Sequence, residues 1–155
     1  MSQGHVTTSL GHVRVTCEDG AVTRVRWGQI PPKIEDQEPD PVLADALSQI
    51  EAYFAGELTK FTVPVEVAGS AFQKQVCAAM QDVPFGETCT YGDLAKICEA
   101  PAQAIGAACG GNPIPIIIPC HRVLGANNLG GFSGSGGIED KVWLLRHEGA
   151  AGLLI

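Results

Sequence analysis

The chain has 155 residues, of which 45% are hydrophobic and 17% are charged, and its formal net charge is −7. This length gives one compact unit or two small ones, and the composition is that of an ordinary soluble globular protein. No apolar run approaches the roughly 18 residues of a membrane span, which excludes a membrane protein. Because residues 1–15 also lack the basic and apolar regions of a secretion signal, we expect a cytoplasmic protein with no membrane partner.

The net charge argues against nucleic acid as a partner, because polyanion binding depends on neutralising phosphates with Lys and Arg. The charge is uneven along the chain, however. Residues 1–70 carry five basic and ten acidic side chains, whereas residues 71–155 carry five and seven. The acidic excess therefore lies mostly in the N-terminal half, and the objection is weaker for the C-terminal half.

Cysteine is the reactive residue type that recurs in this chain. The six cysteines are Cys17, Cys77, Cys89, Cys98, Cys109 and Cys120. They form no Cys-x-x-Cys pair and no close cluster with histidine at metal-ligand spacing, which argues against a zinc site. A chain of this size does not need disulfide bonds, so free thiols in a reducing compartment are the simplest interpretation.

The first half of the chain predicts a small antiparallel sheet. Apolar and polar residues alternate in three segments, at residues 5–9, 12–17 and 21–27. Alternation of this kind is typical of half-buried strands, and Glu18–Gly20 supplies a turn between the last two. The pattern therefore predicts three short strands joined by tight turns.

A helix and a further strand complete the predicted N-terminal domain. Apolar residues recur at helical spacing from Pro41, and Gly56 is a plausible end for this helix. Residues 61–67 resemble a strand, and Pro64 places it at a sheet edge because proline has no amide proton. We expect an α/β N-terminal domain at residues 1–69.

The remaining residues, 70–155, predict a mainly α-helical C-terminal domain. Ser70 and Gln73 form a capping-box pattern, and Thr90 and Asp93 repeat it. Helices are predicted at 71–82, 90–99, 102–111 and 138–148, the last closed by Gly149. The two short middle helices make a candidate helix-turn-helix of the winged-helix kind.

The segment Ile114–Pro119 contains only isoleucine and proline, and Cys120, His121 and Arg122 follow it directly. Its prolines restrict both themselves and the residues before them, so we expect it to run extended as a strand beneath a site. Adjacent side chains of a strand point to opposite faces, so Cys120 and His121 can meet only where the chain turns. Pro119 favours such a turn.

A reactive cysteine needs its thiolate, which a neighbouring imidazole or cation favours. His121 can serve as the base, directly or through a bridging water, if an acceptor holds its other ring nitrogen. Glu148, at the end of the last predicted helix, is the candidate acceptor. The residues alone leave two interpretations of Cys120 open, a nucleophile and a buried structural thiol.

Several motifs together resemble the O6-alkylguanine-DNA alkyltransferase family. They are the segment Asn112–Val123 with its Pro-Cys-His-Arg-Val end, the downstream Phe132-Ser133-Gly134, the closing Trp143–Gly149, and the stretches at 83–88 and 90–95. The resemblance covers about half of the chain, from Phe72 to Gly149. In this order the motifs are highly specific, whereas the N-terminal half shows only compatible secondary structure.

The resemblance implies direct-reversal DNA repair, in which Cys120 irreversibly accepts the alkyl group from O6-alkylguanine, and also from O4-alkylthymine, and acts once. It implies a relay from Glu148 through His121 and a water to Cys120, with Asn112 shaping the turn and Tyr91 supplying a proton to the leaving guanine. The implied substrate-binding residues are Phe132, Ser133, Gly134, Val123 and Pro115. No cofactor or metal is needed, because transfer to sulfur requires only a desolvated thiolate and a neutralised leaving group.

The implied partner is double-stranded alkylated DNA, bound by a monomer in the minor groove with the damaged base flipped out. The implied DNA-binding residues are Gln103, Ala102, Gly106, Ala107, Gly110, Arg122 and Thr90. Gln103 occupies the place of the family's intercalating arginine, and residues 102–111 contain no Lys or Arg. Phe132 stands where tyrosine is common, and the stretch before Asn112 is about two residues shorter than the family leads us to expect.

We therefore expect weak DNA binding with a shallow salt dependence, because few phosphates can be neutralised by the available cations. Those cations are Lys96, Arg122, Lys141 and Arg146. Two alternative functions remain open. One is a lesion-binding module with little transfer activity, and the other is an alkyl-acceptor cysteine protein whose donor is a small molecule or a free base.

Overall fold

The structure is a computed structural model that describes residues 1–132, 134 and 136–150. The chain divides into two compact units, Met1–Glu66 and Val67–Ile155. The sequence places the boundary slightly further along, between residues 69 and 70. Each unit has its own secondary structure, as the residue patterns predict.

A three-stranded antiparallel sheet forms the first unit, in the order β1 (Ser2–Thr8), β2 (Gly11–Glu18) and β3 (Ala21–Gly28). Helix α1 (Pro41–Phe54) contacts all three strands. The Asp40 carboxylate caps this helix by accepting from two backbone amides of its first turn. The apolar alternation of the strands faces α1, and the core between them contains Val13, Val15, Val25, Leu43, Ala46 and Ile50.

The strand predicted at residues 61–67 is wrong, because the segment makes only one isolated bridge, between Val65 and Val22 of β3. The bridge consists of the Val22 amide donating to the Pro64 carbonyl at 2.8 Å and the Glu66 amide donating to the Val22 carbonyl at 2.9 Å. Pro64 has no amide proton to extend the ladder. The segment therefore follows the edge of β3 without becoming a fourth strand.

The second unit is mainly helical. Its elements in chain order are α2 (Ala71–Gln81), β4 (Cys89–Thr90), α3 (Tyr91–Cys98), α4 (Ala102–Gly110), a 3-10 turn (Cys120–Arg122), β5 (Val123–Leu124) and α5 (Gly137–His147). Helices α2, α3 and α4 contact one another, and β4 pairs with β5 in parallel. The predicted fold class, an α/β domain followed by a mainly α domain with a helix-turn-helix, is confirmed.

The two capping-box patterns have different outcomes. In α3 the box is complete, since the Asp93 amide donates to Thr90 Oγ1 at 3.0 Å and the Thr90 amide donates to Asp93 Oδ2 at 2.9 Å. In α2 only half of the box forms. Ser70 accepts from the Gln73 amide, but the Gln73 side chain donates to the Ala108 carbonyl at 2.7 Å instead. Gln73 thus joins α2 to α4.

The predicted strand at Ile114–Pro119 is also wrong, because this segment is a buried turn. The Ile118 amide donates to the Ile114 carbonyl at 2.9 Å, and Ile116 adopts a φ of 74°. Asn112 stabilises the turn from inside, since its Nδ2 donates to the Ile118 carbonyl and its Oδ1 accepts from the Ile114 amide. Four isoleucines of the turn are almost fully buried, which anchors it in the core.

Within the described residues, none of the helices combines the length and the apolar character required to cross a bilayer.

Candidate active site

The cysteine and the histidine leave the buried turn through a single 3-10 turn. Pro119 has φ −81° and ψ 66°, and the Arg122 amide donates to its carbonyl at 3.0 Å. The side chains of Cys120, His121 and Arg122 are all buried. Three successive residues can be buried together because the backbone turns at Pro119, as the sequence predicts.

Glu148, the residue after α5, contacts two of these three side chains. Its Oε2 lies 2.7 Å from His121 Nε2 and accepts from Arg122 Nη2 at 3.0 Å, while its Oε1 accepts from Arg122 Nε at 2.8 Å. Burial alone would raise the pKa of the carboxyl, but the hydrogen bonds from His121 and Arg122 outweigh it and hold the pKa below its ordinary value. Glu148 is therefore a carboxylate at neutral pH.

His121 is neutral in this arrangement. Burial lowers its pKa more than the Glu148 carboxylate raises it, and Arg122 already balances the charge of that carboxylate. Because a carboxylate can only accept, Nε2 carries the ring proton and Nδ1 presents a lone pair. Among the described buried side-chain polar atoms, His121 Nδ1 is the one without a hydrogen-bond partner in the protein. The ring is thus a base whose acceptor atom is free to take a proton.

The Cys120 thiol is protonated in the resting structure. Burial raises its pKa to about 11, while the Asn112 side chain and the Lys141 ammonium act in the opposite direction. The side chain is only 4% exposed. A thiolate at this position therefore needs a base and compensating positive charge at the moment when it forms.

A cavity of about 340 Å³ opens onto Cys120. It is lined by Tyr91, Gly106, Cys109, Gly110, Cys120, Gly131 and Phe132. This volume lies at the small end of the range for ligand pockets, and the walls are mostly backbone, thiol and aromatic ring. Burial raises the pKa of Tyr91, so its phenol is protonated and can donate a hydrogen bond toward the cavity.

The structure brings five of the predicted site residues to this cavity, Cys120, Tyr91, Phe132, Gly106 and Gly110. Asn112, His121 and Glu148 lie behind it in the arrangement just described. Val123 and Pro115, which were predicted to bind substrate, are buried and are not among the lining residues, because Val123 pairs in β5 and Pro115 lies in the isoleucine turn. Gly134 accepts from the Gly137 amide ahead of α5 and is not a lining residue either. Ser133 lies outside the described residues.

Arg122, which the sequence predicts to contact DNA, is buried in this structure. Its guanidinium is buried, and besides Glu148 it donates to the Val83 carbonyl from Nη1 at 2.6 Å. The guanidinium also lies 5.9 Å from the centre of the Phe85 ring. Arg122 is therefore part of the support of the site rather than a group that can reach a phosphate.

Lys141, predicted to neutralise a phosphate, is likewise buried, with no side-chain exposure. Its Nζ donates to the carbonyls of Val123 at 2.6 Å and Gly131 at 2.9 Å. The sequence contained a signal for this, because Lys141, Leu144, Leu145 and Glu148 have the i, i+3, i+4, i+7 spacing of a buried helix face. The charge of the lysine favours an exposed position instead, because lysines are mostly found at protein surfaces.

The predicted DNA-binding residues of α4 share one side of that helix. Ala102, Gln103, Ala107 and Gly110 are exposed and Gly106 is half-buried, whereas Ile105, Ala108 and Cys109 pack inward. A β-carbon at Gly106 or Gly110 would meet no atom within 4 Å. Thr90 is occupied as the cap of α3. The outer side of α4 thus carries mainly small residues and one glutamine, and two of its glycines, Gly106 and Gly110, line the cavity.

Two family models match the chain and together cover most of it. Residues 71–150 match the 6-O-methylguanine DNA methyltransferase, DNA binding domain, and residues 1–67 match the 6-O-methylguanine DNA methyltransferase, ribonuclease-like domain. These matches include the N-terminal half, where the sequence motifs carried little resemblance.

The chain is similar to methylated-DNA–protein-cysteine methyltransferases of mycobacteria. It is 42% identical to that of Mycobacterium leprae over 148 residues, covering 94% of this chain and 81% of the relative. It is 48% identical to that of Mycolicibacterium paratuberculosis over 108 residues, covering 68% of this chain and 64% of the relative, slightly less than two thirds of its length. A crystal structure of Mycobacterium tuberculosis OGT in complex with DNA matches with a TM-score of 0.83 and 38% identity, covering 97% of this chain and 94% of that one.

Proposed function

Because the chain belongs to the 6-O-methylguanine DNA methyltransferase family, we propose that it repairs alkylated DNA by accepting the alkyl group on Cys120. The substrate is O6-alkylguanine in double-stranded DNA, and O4-alkylthymine is a second substrate of the same chemistry. The observation that carries the proposal is the neutral His121 ring, whose Nε2 is held by Glu148 and whose Nδ1 has no partner among the described residues, directly after Cys120.

The reaction proceeds in one displacement. His121 Nδ1 takes the proton of the Cys120 thiol through a bridging water, and the sulfur attacks the alkyl carbon as the carbon–O6 bond breaks. The electron pair of that bond leaves with the guanine, which takes a proton from Tyr91. The product is a thioether, which no step of this chemistry cleaves, so the protein acts once.

Glu148 and Arg122 make this proton transfer possible without themselves reacting. A carboxylate behind His121 stabilises the imidazolium that forms, and Arg122 keeps that carboxylate ionised in the interior. The rigid turn held by Asn112 fixes the sulfur relative to the cavity. Positioning of this kind contributes far more to the rate of transfer than the intrinsic reactivity of the thiol does, because burial raises the pKa of that thiol.

Access to the sulfur requires the damaged base to leave the duplex, because Cys120 lies at the end of a cavity. The strip of small residues on α4 suits close approach to a minor groove. Gln103 takes the place of the displaced base without a positive charge, and Phe132 stacks on the flipped base. DNA binding is weak and depends little on salt, because α4 has no Lys or Arg.

A cytoplasmic location belongs to the same proposal. All six cysteines are free thiols, and four of them besides Cys120 are buried. A reducing compartment keeps such thiols, including the acceptor, in the reduced form. The functional boundary between the two domains is proposed at residues 69 and 70.

The proposal is tested by incubating the protein with duplex DNA that contains one O6-methylguanine and mapping the methyl group by peptide mass spectrometry. We expect one methyl group per protein, on Cys120, and none on the variant Cys120→Ala, which still binds the duplex. The variant Cys89→Ala, which alters a half-buried thiol outside the cavity lining, serves as the matched control and accepts the methyl group normally.

Two outcomes would replace the proposal with one of the alternatives. Binding of the lesion without methylation of any cysteine would make the protein a lesion-binding module. Methylation of Cys120 by free O6-methylguanine but not by the duplex would make it an acceptor for small-molecule donors, which the exposed, uncharged Gln103 on α4 would then explain.

A further inference from the structure

The outer face of the three-stranded sheet, on the side opposite α1, carries a group of cationic and imidazole side chains. Core residues such as Val13, Val15 and Val25 lie on the side of α1, so the alternate residues of each strand point outward. Five of these outward residues form what we call the cationic face: His5, His12, Arg14, Arg24 and Arg26. The face is open to solvent, because His5, Arg24 and Arg26 are exposed and the other two are half-buried.

The strand register brings three of these side chains into one line across the sheet. His5 lies opposite Arg14, and Arg14 lies opposite Arg26. Because neighbouring strands are about 5 Å apart, the line spans about 10 Å. Arg24 lies opposite Thr16, two residues from Arg26 on the same face. Like charges directly opposite each other destabilise a sheet, so the pairing of Arg14 with Arg26 is unfavourable in the free protein.

None of the three arginines pairs with a carboxylate in the part of the chain that the structure describes. Glu18, at the end of β2, is the one acidic residue of the three strands, and it lies opposite Ala21 at the turn. Residues 1–66 contain five basic and ten acidic side chains. Three of the five positive charges of an acidic unit are therefore collected on one face of its sheet, without anions to balance them.

We propose that the cationic face is a docking surface for an acidic peptide segment in extended conformation. Alternate side chains of an extended chain point to the same side and are about 7 Å apart, a spacing that long arginine side chains on neighbouring strands can match. Carboxylates paired with Arg14 and Arg26 would also remove the repulsion between these two residues. A segment with Asp or Glu at every second position therefore complements the face in both charge and geometry.

The face suits a short peptide better than a nucleic acid. Its outward residues include no Phe, Tyr or Trp on which the bases of a single strand could stack. A duplex carries one charge per about 1.7 Å of its length, so its charge would extend beyond the face. There it would meet the rest of a unit whose five basic and ten acidic side chains give a net charge of −5. A peptide with a few carboxylates stays within the face and avoids this repulsion.

The test measures the binding of a rhodamine-labelled octapeptide of repeated Thr-Glu by fluorescence anisotropy, with the repeated Thr-Gln peptide as the uncharged probe. The full-length variant Arg14→Gln with Arg26→Gln removes two charges from the face. The matched control is Lys33→Gln with Lys60→Gln, which removes the same charge from exposed positions of the same unit outside the sheet. The Thr-Gln peptide should not bind to any of these proteins.

We expect the double arginine variant to bind the Thr-Glu peptide about tenfold more weakly than the wild type, because each exposed ion pair contributes a few-fold in affinity. The double lysine variant should keep the wild-type affinity within about twofold. Replacing Arg14 and Arg26 with Lys keeps both charges and should retain binding. Equal peptide affinities of the wild type and the double arginine variant, or equal losses in the arginine and lysine variants, would overturn the proposal.

Folding is not expected to confuse the result. Removing the repulsion between Arg14 and Arg26 should leave the urea midpoint unchanged or raise it. If the double variant does not fold, Arg24→Gln gives the same comparison from a single change on the same face, with an expected loss of affinity of about threefold. Peptide binding by Arg24→Gln that equals the wild type would then overturn the proposal.

Other occupants of the cationic face are separate outcomes of the same experiment. Tighter, arginine-dependent binding of an oligothymidylate with eight phosphates, or of vesicles that contain phosphatidylserine, would overturn the proposal in favour of nucleic acid or a membrane surface. Self-association of the wild type that the arginine variant loses, seen by light scattering, would assign the face to a second copy of the chain. Methyl transfer to Cys120 should be equal in both proteins, so the docking face is tested independently of the proposed function.

Discussion

The reactive turn at residues 112–122 and the outer side of α4 lie on the same unit and differ in almost every physical property. In the turn, Asn112 bonds to the backbone of Ile114 and Ile118, and Arg122 bonds to Glu148 and to the Val83 carbonyl, through hydrogen bonds of 2.6–3.0 Å. The exposed side of α4 carries small residues, one glutamine and no charge. The polar interactions are thus concentrated behind the sulfur, and almost none lie where DNA would bind.

This difference indicates that separate groups of residues determine the rate of alkyl transfer and the affinity for DNA in such a protein. A buried polar network tolerates little change, because each partner left unpaired costs stability as well as activity. A strip of exposed residues tolerates more, because substitutions of exposed side chains usually change stability little. Changes in the turn should therefore have large effects on both folding and transfer. Changes on the outer side of α4 should have small effects on folding and should act on DNA binding and on access to the cavity that Gly106 and Gly110 line.

The largest effect is expected for Glu148→Gln. Removing the carboxylate charge leaves the buried Arg122 guanidinium unpaired, so the free energy of unfolding should fall by about 3–5 kcal/mol, and transfer should slow because His121 loses its orienting anion. Urea denaturation and single-turnover transfer measure the two effects. Glu139→Gln, at the exposed start of α5, should change stability by less than about 1 kcal/mol. Equal losses of unfolding free energy in Glu148→Gln and Glu139→Gln would show that the buried network contributes no more to stability than an exposed carboxylate does.

Acid should destabilise the protein through the same network. The folded-state pKa values of His121 and Glu148 lie below their ordinary values of 6.5 and 4.5, so the unfolded chain binds protons more readily than the folded one. Stability is therefore complete above about pH 6.5, falls as His121 in the unfolded chain takes up a proton, and falls further below about pH 4.5.

Urea midpoints between pH 7.5 and 4 measure this loss. His121→Gln should flatten the part of the curve between pH 6.5 and 5, whereas His5→Gln, on the exposed side of β1, should leave it unchanged. A wild-type midpoint that stays constant down to pH 5 would mean that His121 is not held neutral.

Gly106→Ala should separate folding from DNA binding. A β-carbon at this position meets no atom within 4 Å, and alanine is better than glycine inside a helix, so the free energy of unfolding should rise by about 0.5–1 kcal/mol. If the outer side of α4 lies against the minor groove, the added methyl group should weaken duplex binding about tenfold, or about 1.4 kcal/mol. Fluorescence anisotropy with a labelled duplex measures the affinity. Unchanged affinity would remove α4 from the interface.

The smallest effect concerns the salt dependence of binding. With Arg122 and Lys141 buried, the exposed cations of residues 67–150 are Lys74, Lys96 and Arg146, so the slope of log K against log salt should be no steeper than about −3. Gln103→Arg should raise the affinity and steepen the slope by about one. Gln81→Arg, which adds the same charge at the end of α2, is the control and should change neither. A wild-type slope as steep as that of a strongly basic domain would contradict the view that charge contributes little to DNA binding by this protein.

The sequence predicted much of the fold because local patterns decided it. Strand alternation, the spacing of α1 and the complete capping box of Thr90 and Asp93 all depend on neighbours in the chain. The wrong predictions depend on contacts that the periodicity of the residues does not encode, with Val22 for the segment 61–67 and with the Asn112 side chain for the isoleucine turn. Ile114–Pro119 reads as a strand, but Asn112 bonds across it and the hydrophobic core closes around it.

The roles of site residues could be predicted where they belong to one contiguous motif. They could not be predicted where contacts between distant parts of the chain decide the role. The pairing of His121 with Glu148 could be expected because an imidazole base needs an acceptor. The burial of Arg122 and Lys141 could not be read from charge alone, since Lys and Arg are mostly exposed. Their acceptors are backbone carbonyls and one carboxylate, which only the folded chain brings within reach.

Cys109 lines the same cavity as Cys120, and this affects how the active fraction of a protein preparation is measured. A preparation of a protein that reacts once is defined by the fraction of acceptor sulfurs that are still unmodified, and thiol-reactive dyes are a convenient way to count them. Burial raises the pKa of Cys109 to about 12, so the second sulfur should label slowly. Long labelling would still report more than one equivalent per chain, because Cys89 is a half-buried free thiol as well. A stoichiometry of one should be accepted only when the adduct is located in the peptide.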